Sequence, residues 1–161
     1  MDNLSALAAE VLQSAQAKSL MIATAESCTG GMVAAALTEI AGSSAVFERG
    51  FVTYSNLAKH EMLGMPESLI MQHGAVSGEV AIAMAEGAIR NSAAQLSVSI
   101  TGIAGPAGGS ETKPVGTVFI GCHLMGKPTQ LRQFLFSGDR SEIRHAASLA
   151  ALELLRDAII T

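Results

Sequence analysis

The sequence lacks most of what would mark it as a secreted, membrane-bound or nucleic-acid-binding protein. Its 161 residues hold only two cysteines, Cys28 beside a glycine pair and Cys122 in an apolar stretch, which is no disulfide framework. Asp2 and Glu10 interrupt the N-terminal segment, so nothing there reads as a signal peptide, and the cytoplasm is the expected location. Although 49% of the residues are hydrophobic, no run of about 18 or more is free of polar breaks, which argues against a membrane partner. The formal charge is -4, and the ten Lys and Arg residues are scattered without a basic run. Sequence-independent binding of nucleic acid needs a positive patch, so nucleic acid is not an expected partner. Metal spacings such as HExxH or paired CxxC are missing, and so are GxxxxGK[ST] and GxGxxG. These absences predict no metal, no cofactor and no nucleotide loop of those kinds. There are no internal repeats.

What is present reads as one domain over residues 1–161, long enough for a single conventional core. Leu4, Leu7, Ala8, Val11, Leu12 and Ala15 predict an amphipathic helix, followed by a strand over 20–25 and a helix over 32–40. Strands are expected at 46–53, 96–101, 115–124 and 131–136. Helices are expected at 56–63, after Ser77, and from the capping-box-like Asp139 and Glu142 to about Ile160, with a further turn or two at 67–72. The glycine-rich stretch GIAGPAGGSETKP, 102–114, joins strand to strand. Helices alternating with about five strands, some joined directly, predict an α/β fold, a three-layer α/β/α sandwich with a mixed β-sheet.

The densest chemistry lies at 24–31, TAESCTGG, between the first strand and the helix behind it. Ser27 alone reads as a helix N-cap, but Thr29 could cap equally well, and the surplus of hydroxyl, thiol and glycine suggests a nucleophile with backbone N–H groups near it. Cys28 is the alternative nucleophile, although a free cysteine is more often small core packing. A hydroxyl nucleophile needs a base. No motif ties His60, His73, His123 or His145 to Ser27, which leaves a lysine as the other option. Ser110 and Lys113 form an SxxK string, but Pro114 turns Lys113 out of any helix. Taken singly, Lys59 is a surface lysine, Tyr54 a core aromatic, and Arg140 a solvated charge or an anion binder.

Five strings in one order, TAESCTGG, AGSSAVFERGFVTYSNLAKHEMLG, GAVSGEVA, SITGIAGPAGGSETKPVGTVFIG and FSGDR, together resemble the C-terminal domain of the competence-damage-inducible protein family. Stand-alone members of that family are nicotinamide-nucleotide amidases. The resemblance implies hydrolysis of the carboxamide of nicotinamide mononucleotide to nicotinic acid mononucleotide and ammonia, without metal or cofactor. It makes Ser27 the nucleophile and Lys59 the general base, with Tyr54 close by and Thr101 and Arg140 in the pocket. It also favours a homodimer. A base at Lys59 must be neutral, which implies a pKa lowered by burial or by a neighbouring cation, with Tyr54 or Arg140 assisting. N–H groups near Gly30, Gly31 or Gly102 are the expected oxyanion donors; for the phosphate the means are Arg140, Lys113 and the helix starts at Thr29 to Gly31 or Asp139 to Ser141, with Arg140 the expected contact. Relatives often carry an acidic residue or glycine where this chain has Ala107, so that position receives no role. The competing reading is a binding or regulatory module that keeps the pocket without chemistry.

Overall fold

The computed structural model describes residues 2–161. Asp2 caps α1 (Asn3–Ala17) by accepting the Ser5 N–H at 2.8 Å, and the helix turns Leu7, Ala8, Val11, Leu12 and Ala15 inward. Ser19, at φ 56°, ends that segment, so β1 is Ile22–Glu26 and starts two residues later than its apolar run suggests. There follow α2 (Met32–Thr38), a short 3-10 turn at Ser43–Ala45, β2 (Phe47–Val52), α3 (Asn56–Leu63), α4 (Glu67–His73) and α5 (Gly78–Arg90). The chain closes with β3 (Leu96–Gly102), β4 (Thr117–Leu124), β5 (Gln130–Leu135) and α6 (Arg140–Ile160). β4 begins at Thr117 and not at Val115, because Gly116 at φ 97° lets the Thr117 N–H close a turn onto the Pro114 carbonyl. The Asp139 and Glu142 capping box is formed in both directions.

The sheet order is β2-β1-β3-β4-β5, with β2, β1 and β3 parallel and β4 and β5 antiparallel. Helices α1, α2 and α6 cover one face; α5, with α3 and α4 outside it, covers the other. The result is the mixed-sheet α/β/α sandwich. The alternation in LSVSIT explains how β3 serves both faces. Leu96, Val98 and Ile100 enter the core beneath α1 and α6. Ser97 and Ser99 face α5, where their hydroxyls donate to the Ala85 and Ala81 carbonyls, so small polar residues let that helix lie close.

Chain order fixes where a ligand can sit. From β1 the chain passes through α2 to β2 on one side; from β2 it returns through α3, α4 and α5 to β3 on the other side. Neighbouring strands whose connections leave in opposite directions open a crevice at their carboxyl ends. Here those ends are Glu26 with Ser27, Val52 with Thr53 and Tyr54, and Thr101 with Gly102.

The close approach of α5 depends on Gly121 of β4, where an added Cβ would lie 2.7 Å from Ser99 Oγ and 2.8 Å from the Ala81 carbonyl oxygen. Gly121→Ala is expected to cost about 1 to 3 kcal/mol through overpacking. Urea unfolding should show a lower midpoint with an unchanged slope.

Candidate active site

At the end of β1 the Ser27 N–H completes the sheet ladder by donating to the Ile100 carbonyl at 2.9 Å, and the chain then turns sharply, with Gly30 N–H donating to the Ser27 carbonyl. This turn aims the Ser27 hydroxyl at the crevice. Across it, Lys59 extends from α3 and is the bulkiest of the fully buried side chains, with 1% of its surface exposed. Its Nζ lies 3.0 Å from Ser27 Oγ and 2.8 Å from the Thr53 carbonyl, with the Tyr54 carbonyl at 3.5 Å. The two residues, 32 positions apart, are therefore in hydrogen-bond contact.

Burial pushes the Lys59 ammonium down from 10.5 to about 8. The cause is loss of water around the charge, not a neighbouring cation, so the expected help from Tyr54 or Arg140 is not what lowers it. The arrangement also fixes the direction of the free electron pair. A neutral amine keeps two N–H bonds, for which the Thr53 and Tyr54 carbonyls are the available acceptors, and its lone pair then faces Ser27 Oγ. Next door, burial raises the Cys28 thiol to about 11, so it stays protonated near neutrality and is a poor nucleophile there.

A cleft of about 270 Å³ opens above this pair. Thr101 and Gly102 form one wall, Ala75 and Val76 another, and the glycine-rich loop from Ile103 to Gly108 a third, with Tyr54 and Arg140 at the mouth. Thr101, buried at the end of β3, donates its hydroxyl to the Ala75 carbonyl at 2.8 Å and ties two walls together. Gly102 has room for no side chain, since a Cβ would lie 2.7 Å from Val118. The Ile103 N–H bonds to Thr117 on β4. Antiparallel alternation then turns the Gly102 N–H the other way, toward the space that β1 leaves after Glu26. Tyr54 is 62% exposed, not a core aromatic. Its hydroxyl accepts from Arg140 Nη2 at 3.0 Å, while Arg140 Nη1 holds the Gly105 carbonyl at 2.7 Å.

Of the candidate residues, Ser27, Lys59, Tyr54, Thr101, Gly102 and Arg140 all line this cleft. Thr29, Gly30 and Gly31 do not. Thr29 is fully buried and donates its hydroxyl to Glu26 at 2.6 Å, while the Gly30 N–H is occupied by the Ser27 carbonyl. Nor does Thr29 cap α2: the buried Glu26 carboxylate accepts the Val33 and Ala34 N–H groups at 3.0 and 3.1 Å. Two charged residues that sequence reasoning passed over thus hold the turn, Glu26 from within and Arg144 of α6 from outside. Arg144 donates to the Cys28 and Thr29 carbonyls at 3.0 and 3.2 Å. The SxxK string is a surface turn in which Ser110 Oγ accepts the Lys113 backbone N–H. None of the four histidines lines the cleft.

The pattern of the family described as the CinA C-terminal domain matches residues 4–159. The chain belongs to that family. It is 52% identical over 149 residues to the nicotinamide-nucleotide amidohydrolase PncC of Escherichia coli K12, covering 92% of this chain and 90% of that protein. A putative competence-damage inducible protein of Caldicellulosiruptor bescii is 51% identical over 143 residues, and there the match spans only 34% of the relative's length. Among solved structures, the competence/damage inducible protein CihA of Agrobacterium tumefaciens superposes with a TM-score of 0.96 at 44% identity, covering 100% of this chain and 98% of that one. This CinA-family domain thus matches proteins of about its own length as well as part of longer ones.

Burying Lys59 has a cost that the fold must carry. The unfolded chain holds this proton up to about 10.5 and the folded chain releases it near 8. In between the unfolded state binds more protons, so the residue makes stability rise with pH across that window. Lys59→Met is expected to remove that rise. It should also gain up to about 3 kcal/mol near neutrality, less what the Thr53 carbonyl loses with its donor. Thermal melts of both proteins from pH 7 to 10 check this: the variant should melt no lower than wild type at pH 7 and show a flatter pH dependence.

Proposed function

We propose that this domain is a nicotinamide-nucleotide amidase that hydrolyses the carboxamide of nicotinamide mononucleotide through a serine acyl-enzyme. The observation that carries the reading is the buried Lys59 at 3.0 Å from Ser27 Oγ on the floor of a cleft, with its proton affinity already lowered to about 8. The relatives named for this activity, about half identical along nearly the whole chain, supply the substrate.

In this mechanism neutral Lys59 takes the proton of Ser27 as Oγ bonds to the carboxamide carbon. The carbonyl π-electrons move to oxygen, and the Gly102 N–H, which the strand alternation turns toward the end of β1, supports this reading as a donor to that oxyanion. The Lys59 ammonium then passes its proton to the amide nitrogen, the C–N bond breaks, and ammonia leaves. A water molecule, deprotonated by the same amine, attacks the acyl carbon and releases the carboxylate and Ser27. Thr101 Oγ1, whose own proton is directed at the Ala75 carbonyl, keeps lone pairs that can accept an N–H of the carboxamide. In this reading Arg140, at the mouth of the cleft, meets the phosphate. A cytoplasmic homodimer is the expectation that the family resemblance adds to this reading.

Ammonia release from nicotinamide mononucleotide is the deciding assay. Ser27→Ala should fold normally and lose about 10³-fold to 10⁶-fold in kcat, and Lys59→Arg should be nearly as inactive, because a guanidinium stays protonated. In wild type, kcat/KM should climb tenfold per pH unit and level off above about 8, where Lys59 becomes neutral. Turnover that survives Ser27→Ala would remove the nucleophile, and a wild type that binds the nucleotide without releasing ammonia would favour the non-catalytic module.

Arg140→Ala tests the substrate's other end. Losing one charge-assisted contact to phosphate should cost about tenfold to 150-fold in kcat/KM for the mononucleotide. Free nicotinamide, which has no phosphate, should be a poor substrate of both proteins and equally poor with each. Equal losses on the two compounds would instead make Arg140 a support for Tyr54 and the Gly105 loop.

A further inference from the structure

Arg144 lies one helical turn beyond Arg140 on α6, so the two guanidinium groups leave the same face of that helix. Arg140 reaches the cleft mouth. Arg144 reaches the back of the nucleophile turn, where its Nε and Nη2 divide between two successive carbonyls, Cys28 and Thr29. Contact is close: a Cβ on Gly30 would sit 3.4 Å from Arg144 Nη2. On the inner side Glu26 takes the Thr29 hydroxyl and the Val33 and Ala34 N–H groups. The Cys28 and Thr29 carbonyls are thus held by the guanidinium, and the Thr29 hydroxyl with two N–H groups of α2 by the Glu26 carboxyl, from opposite sides.

We propose that Arg144 is a positioning residue for the amidase reaction, setting the attack geometry of Ser27 by holding the Cys28 and Thr29 carbonyls of the turn behind it. This rests on the amidase reading. Past the Ser27 N–H the sheet ladder ends; within the turn the Gly30 N–H holds the Ser27 carbonyl and the Met32 N–H the Thr29 carbonyl, while the Cys28 carbonyl has Arg144 as its hydrogen-bond partner. Releasing the Cys28 and Thr29 carbonyls lets the turn shift at Gly30, whose N–H holds the Ser27 carbonyl, and a shift there carries Ser27 Oγ out of the 3.0 Å contact through which Lys59 takes its proton. Misplacement of about 1 Å at a reacting group costs on the order of 10²-fold in rate. The forked shape of the guanidinium spans two acceptors, which a lysine ammonium at one point does not reproduce.

The test compares wild type with Arg144→Ala, Arg144→Gln and Arg144→Lys, using Arg156→Ala, far along α6, as a control for the helix. Expected is a loss of about 10-fold to 100-fold in kcat for Ala, with KM within about twofold and the acid limb of the pH profile still levelling near 8, because Lys59 stays buried. Gln and Lys should recover only part of the loss, and added guanidinium ion should raise the kcat of the Ala variant. Labelling of Ser27 by a fluorophosphonate, followed by mass spectrometry, should slow in the same order. An Arg144→Ala protein with kcat within twofold of wild type overturns the proposal, as does a loss equal to the unfolded fraction measured by circular dichroism. So does full recovery with Lys, which would mean that charge and not the fork matters. Should the Ala protein fail to fold, the Gln and Lys proteins carry the same comparison. If wild type releases no ammonia, the function reading fails, while the labelling rates still decide whether Arg144 orients Ser27.

Discussion

A lysine amine held out of water against a serine hydroxyl is the constraint around which the other parts of the site are arranged. In water a lysine is almost wholly protonated at neutral pH and has no lone pair to offer, and desolvation or a second cation is what brings its pKa within reach. The fold uses desolvation. Lys59 is carried on a short helix of eight residues that has few buried side chains of its own, and it is pressed between the ends of β1 and β2. Leu63, one turn further on, enters the core beside Met65 and Phe51 and anchors that helix to the sheet. The buried Thr53 Oγ1 lacks a hydrogen-bond partner, alone among the buried side-chain polar atoms of the described residues, and it is adjacent to the carbonyl that receives Lys59. Local satisfaction is incomplete where the chemistry is placed, as stability and activity often trade against each other.

Sheet topology then determines what can surround this pair. Because β1 lies between β2 and β3, the segments leaving all three parallel strands converge at one edge: Ser27 from the first, Thr53 and Tyr54 from the second, Thr101 and Gly102 from the third. Antiparallel β4 adds something a parallel neighbour would not. Its start is linked to the end of β3 by the glycine-rich loop, which folds back over the cleft and is held there by Arg140 through the Gly105 carbonyl. Helix α6, which follows β5 and packs against α1 and α2, reaches this edge with its first turns, so Arg140 and Arg144 connect the loop on one side with the Ser27 turn on the other.

The layers were legible from periodicity because the alternation is strong. LSVSIT on β3 and the spaced apolar residues of α1 and α5 needed no tertiary information. The ends of elements were less legible. Leu20 and Met21 look like strand residues, yet Ser19 at φ 56° and the Leu20 N–H bond to Ala15 still belong to the helix exit. Within the site, TAESCTGG announced itself by its surplus of hydroxyl, thiol and glycine, but the partner of Ser27 did not. Lys59 alternates with Ala58 and His60 on a helix whose pattern is only weakly amphipathic, and nothing local says that its ammonium is buried. The family strings, not the spacing, directed attention there. Glu26 and Arg144 escaped for a related reason. An acid at a strand end followed by hydroxyl residues looks like part of a cap, and an arginine on a long helix looks solvated. The signals that could have found them are Glu26 as the one acid in an apolar strand, and Arg144 at the i+4 position from Arg140.

The backbone also replaces a residue that a motif search would seek. In a serine–histidine pair a third side chain orients the imidazole, so three positions must be found in the sequence. An amine can be oriented by any two acceptors, and here the Thr53 and Tyr54 carbonyls at the exit of β2 face it. Their place is set by the strand ladder, since the Thr53 N–H is held by the Glu26 carbonyl across the β1–β2 pair. The chain that precedes Ser27 therefore registers the acceptors that aim the Lys59 amine. This dependence runs through peptide groups that every residue possesses, so of Tyr54, a candidate by its side chain, it is the backbone carbonyl that faces the amine. A substitution at Thr53 or Tyr54 that keeps the strand exit leaves this aim intact, whereas one that moves the β2 backbone by a residue removes it.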